Sequence, residues 1–153
     1  MTLKLFSSFV LIIICLTLFN PGCKKEESTA PTNMIPAELV ATWTAQAVLV
    51  NGTSASLSNV LGWQSGTVQA TITFTASGTF TYTELNSSST PLQIDTGTIA
   101  VNGSTATLKY LTDNGQPVST PEEIVAGWAV TGNQLSLTWT VTQVGSIALS
   151  LTK

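Results

Sequence analysis

Apolar and hydroxyl-bearing residues alternate with a period of two along most of the chain after Val40. β-Branched and aromatic side chains occupy one parity while Thr, Ser and Gln occupy the other, which is typical of an antiparallel sheet with one buried face. The alternation predicts eight consecutive strands, over residues 40–50, 67–75, 79–85, 92–101, 104–111, 127–131, 133–142 and 145–152. Two-residue hairpin turns are predicted at Asn102-Gly103 and Gly132-Asn133.

The same parity predicts which side chains face the interior. Among them are Trp43, Ala45, Ala47 and Leu49 in the first strand, Val68, Ala70, Ile72 and Phe74 in the second, and Ala106, Leu108 and Tyr110 in the fifth. In the fourth strand the apolar parity changes between Ile94 and Ile99, and Gly97 between them suggests a β-bulge. The alanines could mark a cavity, or they could accommodate the large aromatic residues opposite them.

Helical signals are few and short. Helical turns are predicted at residues 36–40 and at residues 121–126, where Thr120-Pro121-Glu122-Glu123 has the composition of a helix start. Residues 51–66, between the first two strands, contain Leu57, Val60, Leu61 and Trp63. We expect a long loop with this apolar content to fold over another part of the domain.

Eight consecutive strands joined mainly by hairpins, without a helical layer, predict an all-β fold. The favoured architecture is an eight-stranded up-and-down antiparallel barrel, because closure removes the exposed edges of a sheet. A two-sheet β-sandwich is the alternative, since periodicity does not separate the two.

The first 22 residues have the pattern of a signal peptide. Lys4 precedes a predominantly apolar stretch at residues 5–19 that carries no charge. That stretch is shorter than the about 20 residues that a membrane-spanning helix needs, so secretion is the better interpretation.

The residues before Cys23 resemble the lipobox of bacterial lipoproteins, of which Gly22 and Cys23 are matched. The resemblance implies cleavage after residue 22 and acylation of Cys23, with palmitate-type chains anchoring the protein in the membrane. An ordinary signal with an incidental cysteine is the alternative. Residues 23–33 then form a polar, flexible tether, and residues 34–153 form the folded domain.

Composition excludes several classes of function. Charged residues make up 8% of the chain, against about a quarter in ordinary soluble domains. Histidine and arginine are absent, and the two cysteines are Cys15, inside the signal, and Cys23, at its end, so the folded domain has none. Zinc sites, thiol nucleophiles and Ser-His-Asp triads are therefore not expected, and the sequence predicts no cofactor, no metal and no enzymatic activity.

Charge also argues against a nucleic-acid partner. After Met34 the cations are Lys109 and Lys153, against six carboxylates. Phosphate neutralisation needs clustered basic residues, which this domain lacks.

One short motif has a possible catalytic meaning. Asp95-Thr96-Gly97 matches the active-site tripeptide of aspartic peptidases, in which two carboxylates share a proton. The chain has no second copy, and the bulge predicted at Gly97 offers a simpler interpretation.

Residues 35–43 (IPAELVATW), 72–81 (ITFTASGTFT) and 132–138 (GNQLSLT) resemble the lipocalin-like domains of secreted lipoproteins from Bacteroidetes. The resemblance implies a barrel with a closed end near Trp43 and an open mouth under residues 51–66, where such domains often hold small apolar ligands. The Cys-Lys-Lys-Glu-Glu start at residue 23 also looks like that of many lipoproteins in this group. The expected location is the outer membrane, on its periplasmic or its surface face.

The function expected from these observations is that of a lipid-anchored, non-enzymatic module of the cell envelope that binds a small apolar molecule. Its candidate ligand-binding residues are Leu57, Val60, Leu61, Trp63, Tyr82 and Tyr110. The alternative is a structural lipoprotein with a filled barrel that binds another envelope protein through its outer surface.

Overall fold

A computed structural model of the protein describes residues 34–153, which form a closed antiparallel β-barrel. The signal peptide predicted over residues 1–22, Cys23 and the tether predicted over residues 23–33 lie outside the described residues. In chain order the elements are β1 (Thr42–Val50), β2 (Thr53–Ala55), α1 (Leu57–Leu61), β3 (Gln69–Phe74), β4 (Thr79–Leu85), β5 (Pro91–Asn102), β6 (Thr105–Tyr110), β7 (Thr112–Asp113), β8 (Gln116–Pro117), β9 (Glu123–Thr131), β10 (Gln134–Val141) and β11 (Gly145–Thr152).

Eight of these strands close the barrel in the order β1-β3-β4-β5-β6-β9-β10-β11, and β11 pairs back with β1. The short strand β2 extends the sheet beside β1, while β7 and β8 form a separate small hairpin. Every pairing is antiparallel. The predicted barrel is therefore confirmed, and the closed sheet excludes the sandwich. In residues 34–153 no helix has the length and apolarity needed to cross a membrane.

Most strand boundaries agree with the prediction to within two residues, and the exception is β9. The helical turn predicted over residues 121–126 is wrong, because β9 begins at Glu123. Ile124 pairs with Leu108 and Ala126 pairs with Ala106, so alternate residues of this segment face the barrel interior. Tertiary pairing with β6 outweighs the local helix-start composition.

Two smaller corrections concern the barrel rims. Asn102 pairs with Thr105, so the hairpin turn consists of Gly103 and Ser104, one residue later than predicted. Val68, predicted to face inward, precedes β3 and is 60% exposed. The turn predicted at residues 36–40 is confirmed by the hydrogen bond from the Leu39 N–H to the Pro36 carbonyl, at 2.9 Å.

A β-bulge in β1 changes which of its residues face inward. The pairing with β11 shifts between Ala45 and Ala47, so Gln46 is an extra residue on this strand. Val48 is consequently buried, whereas Ala47 and Leu49 are exposed, and their predicted inward placement is wrong. Such a bulge bends its strand, which suits a strand that pairs with β3 at one end and with β11 at the other.

The bulge predicted at Gly97 is also wrong. The pairing of β4 with β5 runs without a shift from Thr79 and Thr98 to Glu84 and Gln93, and Gly97 pairs with Phe80. A Cβ atom at Gly97 would overlap the Phe80 ring and the Lys109 carbonyl oxygen. The glycine is therefore required for close packing, and the inward parity continues unbroken through β5.

One end of the barrel is filled and closed. Trp43 is fully buried there, and its indole N–H donates a hydrogen bond to the Leu39 carbonyl at 2.9 Å. Ile35 and Leu39, from the turn before β1, belong to the same buried cluster. Phe74 and Phe80 pack edge to face in this cluster, with ring centroids 6.5 Å apart.

Candidate functional site

The barrel interior that is not filled contains a small apolar cavity of about 80 Å³. Three alanines, Ala45, Ala70 and Ala126, contribute to its wall because their side chains end at Cβ. Larger side chains complete the lining, including Ile72, Leu108, Leu137, Leu149 and Leu151. Ala106, by contrast, is part of the packed core and does not line this cavity.

A larger cleft of about 570 Å³ adjoins the apolar cavity. The two spaces have five lining residues in common, which are Leu61, Tyr82, Tyr110, Ile124 and Trp139. The end of helix α1 and the glycine after it cover part of the cleft, since Val60, Leu61 and Gly62 line it. The loop of residues 51–66 thus folds over the barrel interior, as its apolar content predicts.

Glu84 contributes a buried carboxylate to the cleft. It has the same inward parity on β4 as Phe80 and Tyr82, and only 1% of its surface is exposed. Its Oε2 accepts hydrogen bonds from the Gln64 backbone N–H and from the Thr67 hydroxyl, both at 2.7 Å. Its Oε1 accepts a longer bond from the Tyr82 hydroxyl, at 3.3 Å. All three donors are neutral, so no positive charge compensates the carboxylate.

Asp95 lies on the neighbouring strand and is paired with Tyr82 in the sheet. Its side chain is 7% exposed and accepts hydrogen bonds from the Gln93 side-chain amide and from the Asn114 backbone N–H, both at 2.8 Å. Gln93 also contacts the Gln64 side chain at 2.6 Å. This polar network connects the loop over the barrel with β5 and with the turn between β7 and β8.

The two tyrosines between the apolar cavity and the carboxylates have raised pKa values. Burial and then the Glu84 carboxylate raise the pKa of Tyr82 above its ordinary value of 10.0. Burial raises the pKa of Tyr110 to about 12, and Asp95 and Glu122 add to the effect. Both hydroxyls therefore stay protonated over a wide pH range. Within residues 34–153 the Tyr110 hydroxyl forms no hydrogen bond.

The structure brings three of the six predicted ligand-binding residues to both spaces, namely Leu61, Tyr82 and Tyr110. Val60 lines the cleft, whereas Leu57 packs against the hydrophobic core and lines neither space.

Trp63 also lines neither space, but it lies beside the site. Its indole N–H is buried without a hydrogen-bond partner in the described part of the chain. The indole lies near the Tyr82 hydroxyl and partly offsets the rise in the pKa of Tyr82. The geometry between the indole N–H and this hydroxyl is nevertheless too poor for a hydrogen bond.

Glu84 and Asp95 were not among the residues that the sequence singled out for this site. The available signal was parity, because strict alternation from Phe80 and Tyr82 places Glu84 on the inward face. A carboxylate at a position expected to be apolar is informative, since buried charges are rare unless they are paired. No group of three or more potential metal ligands occurs among residues 34–153.

The site therefore combines an apolar recess, aromatic walls and acidic hydrogen-bond acceptors. None of the protein-family models, curated proteins or solved structures that were compared with the chain matches it.

Proposed function

We propose that this protein is a lipid-anchored module of the cell envelope whose barrel binds a small molecule with an apolar part. The observation that carries the proposal is the apolar cavity of about 80 Å³ that adjoins a cleft at the unfilled end of the barrel. Apolar recesses with a few convergent polar groups are the usual form of small-molecule sites. The domain acts as a binding module rather than as an enzyme.

The anchoring part of the proposal depends on the sequence alone. It is supported by the apolar stretch at residues 5–19 and by the lipobox-like Gly22-Cys23. Acyl chains on Cys23 would hold the protein at the membrane, because each buried methylene contributes about 0.8 kcal/mol. The location proposed is the outer membrane.

Native mass spectrometry tests the binding part directly. The protein is purified in a non-ionic detergent from the membranes of the cells that make it, and its mass is compared before and after denaturation. We expect a reproducible small-molecule mass that is lost on denaturation. A bare mass, together with no calorimetric binding of 1-hexanol as a simple amphiphilic probe, would contradict the proposal.

A cavity-filling variant provides the matched comparison. Ala126 is 1% exposed and lines the cavity, so Ala126→Leu should occupy the recess with the added side-chain carbons. Filling a cavity commonly stabilises a protein by about 0.5–2 kcal/mol, so we expect loss of binding without loss of stability. Ala129→Leu, on the exposed face of the same strand, should leave binding unchanged.

The alternative function is a structural lipoprotein that binds another envelope protein through its outer surface. It would be favoured if Ala126→Leu behaved like the parent protein in cells while a stable protein partner co-purified with both.

A further inference from the structure

Within residues 34–153 most of the carboxylates lie at the cleft, whereas the lysines lie elsewhere on the barrel. The cleft is lined by four of the six carboxylates in this part of the chain, Glu84, Asp95, Asp113 and Glu122. Neither lysine of the domain lines the cleft. Concave surfaces lined by charges of one sign concentrate their electric field, so the cleft attracts cations and repels anions.

Both lysines have other contacts. The Lys109 ammonium pairs with Glu123 at 3.1 Å on the barrel surface. The Lys153 ammonium lies over the Trp43 ring at the closed end, 4.7 Å from its centroid. The negative charge of the cleft therefore has no counter-charge among the described side chains that line it.

Burial makes this imbalance costly. Glu84 and Asp95 are 1% and 7% exposed, and the hydrogen bonds that they accept come from neutral groups. A buried charge destabilises a protein unless an opposite charge or sufficient hydrogen bonds compensate it. A positively charged ligand group would supply the missing charge, whereas the carboxylate of a fatty acid would add to the repulsion.

The walls beside the carboxylates also suit a cation. Tyr82, Tyr110 and Trp139 line both the cleft and the apolar cavity. Aromatic faces attract ammonium groups, and the attraction grows when water is excluded. The Tyr110 hydroxyl has no hydrogen-bond partner in residues 34–153, so it can accept a hydrogen bond from a ligand.

The size of the recess limits the apolar part of the ligand. A dry cavity of about 150 Å³ accepts benzene, and the apolar cavity here is about half that volume. A short aliphatic chain fits this space better than an aromatic ring does.

From these observations we infer that the barrel selects a small organic ammonium compound, with its positive group among Glu84, Asp95 and the aromatic walls and its short aliphatic chain in the apolar cavity. This inference rests on the proposed binding function and specifies its ligand class.

The test compares three probes of equal chain length that differ in charge. Isothermal titration calorimetry measures binding of n-hexylammonium, 1-hexanol and hexanoate to the protein purified from membranes, in the same non-ionic detergent. We expect hexylammonium to bind at least about tenfold more tightly than 1-hexanol, because a charge-assisted hydrogen bond is stronger than a neutral one. Hexanoate should show no binding, and added salt should weaken the binding of hexylammonium.

Substitutions that preserve shape identify the groups responsible. Glu84→Gln and Asp95→Asn should each lower the affinity for hexylammonium by about tenfold or more and leave that for 1-hexanol nearly unchanged. Glu123→Gln is the control, because Glu123 faces Lys109 on the outer surface and should change neither affinity. If a buried substitution prevents folding, the comparison of the three probes on the unmodified protein still tests whether the site prefers an ammonium group.

The outcomes separate this inference from the proposed function. Equal affinity for hexylammonium and 1-hexanol, or tighter binding of hexanoate, would overturn the ammonium inference and leave a general binding module. Calcium chloride that displaces hexylammonium and binds with higher affinity would also overturn it, because the site would then be one for an inorganic cation. If none of the probes binds, the ammonium inference fails, and the proposed function fails with it only when the native mass is also bare.

Discussion

The Lys153 ammonium lies 4.7 Å from the centroid of the Trp43 ring. The same ammonium donates a hydrogen bond to the Glu38 carbonyl at 3.3 Å, so Lys153 connects the end of β11 with the turn that precedes β1. Trp43 is fully buried beneath it. A cation–π contact and a charge-assisted hydrogen bond therefore hold the closed end of the barrel together.

Removing this cation should weaken the closed end. We expect Lys153→Met to lower the free energy of unfolding by about 0.5–1.5 kcal/mol, since the contact is partly exposed to solvent. Urea unfolding followed by tryptophan fluorescence measures the change. Lys109→Met removes only an exposed ion pair and should cost less, about 0–1 kcal/mol. Equal losses of unfolding free energy in the two variants would show that the Trp43 contact stabilises the protein no more than an exposed ion pair does.

Gly97 should not tolerate a side chain. A Cβ atom there would overlap the Phe80 ring, which also packs against Tyr110 with centroids 4.9 Å apart. We expect Gly97→Ala to destabilise the barrel by about 1–3 kcal/mol through overpacking, as measured by thermal or chemical unfolding. Thr98→Ala, at the next and exposed position, is the control. Full stability of Gly97→Ala would mean that both the Phe80 ring and the Lys109 carbonyl can move away without cost.

The pH dependence of stability should reflect the two tyrosines, Tyr82 and Tyr110, which are the only ones in the chain. Burial and neighbouring carboxylates raise the pKa of Tyr110 from 10.0 to about 12, and the pKa of Tyr82 is also raised. The folded protein therefore holds protons that the unfolded chain has released. The contribution of the two tyrosines to the free energy of unfolding should be fully present below pH 10.0. It should be lost progressively as the pH rises toward about 12.

Two measurements check this pH dependence. Ultraviolet absorbance should show little tyrosinate in the folded protein at about pH 10, where a free tyrosine is half ionised. Denaturant unfolding should give a falling free energy as the pH increases above about 10, and Tyr110→Phe should reduce the slope. Normal titration of both hydroxyls in the folded protein would contradict the environment described for the site.

Asn51 connects the loop over the barrel with the turn between β10 and β11. Its side-chain amide donates to the Val144 carbonyl and its Oδ1 accepts from the Ser146 N–H, both at 3.0 Å. We expect Asn51→Ala to cost about 1 kcal/mol of stability and to increase amide hydrogen exchange of Ser146. Thr142→Ala, on the same turn but exposed, is the control. Unchanged exchange at Ser146 would show that the backbone pairing alone closes this turn.

The lipid anchor is tested by replacing Cys23. We expect Cys23→Ser to move the protein from the membrane fraction to the soluble fraction, because the acyl chains supply the membrane affinity. Cys15→Ser is the matched control, since this cysteine lies within the apolar stretch and its loss should leave the protein in the membrane fraction. Continued membrane association of Cys23→Ser would contradict the proposed acylation.

The period-two pattern determined most of this fold. In β11, Ile147, Leu149 and Leu151 alternate with small or polar residues and are all buried, as the parity predicts. Such a pattern is local, because successive side chains of a strand point to opposite faces whatever the rest of the chain does. Hairpin turns between consecutive strands then lead to an up-and-down barrel.

The first strand shows where parity fails. The bulge at Gln46 is a property of the pairing between β1 and β11, which are far apart in the sequence. Nothing local distinguishes Ala47 from Ala45, although one is exposed and the other lines the apolar cavity. Barrel closure requires β1 to bend, and that requirement appears only when the last strand meets the first.

The sequence by itself determined the strand pattern, the face of each side chain within most strands and the loop that covers the barrel. Only the tertiary structure decided that Glu84 and Asp95 form an acidic site within it. Alternation places Glu84 inward, but its burial depends on donors from Gln64 and Thr67, which the folded loop brings to it. A carboxylate can be buried only where such donors converge, and their convergence is a property of the closed barrel rather than of any one segment.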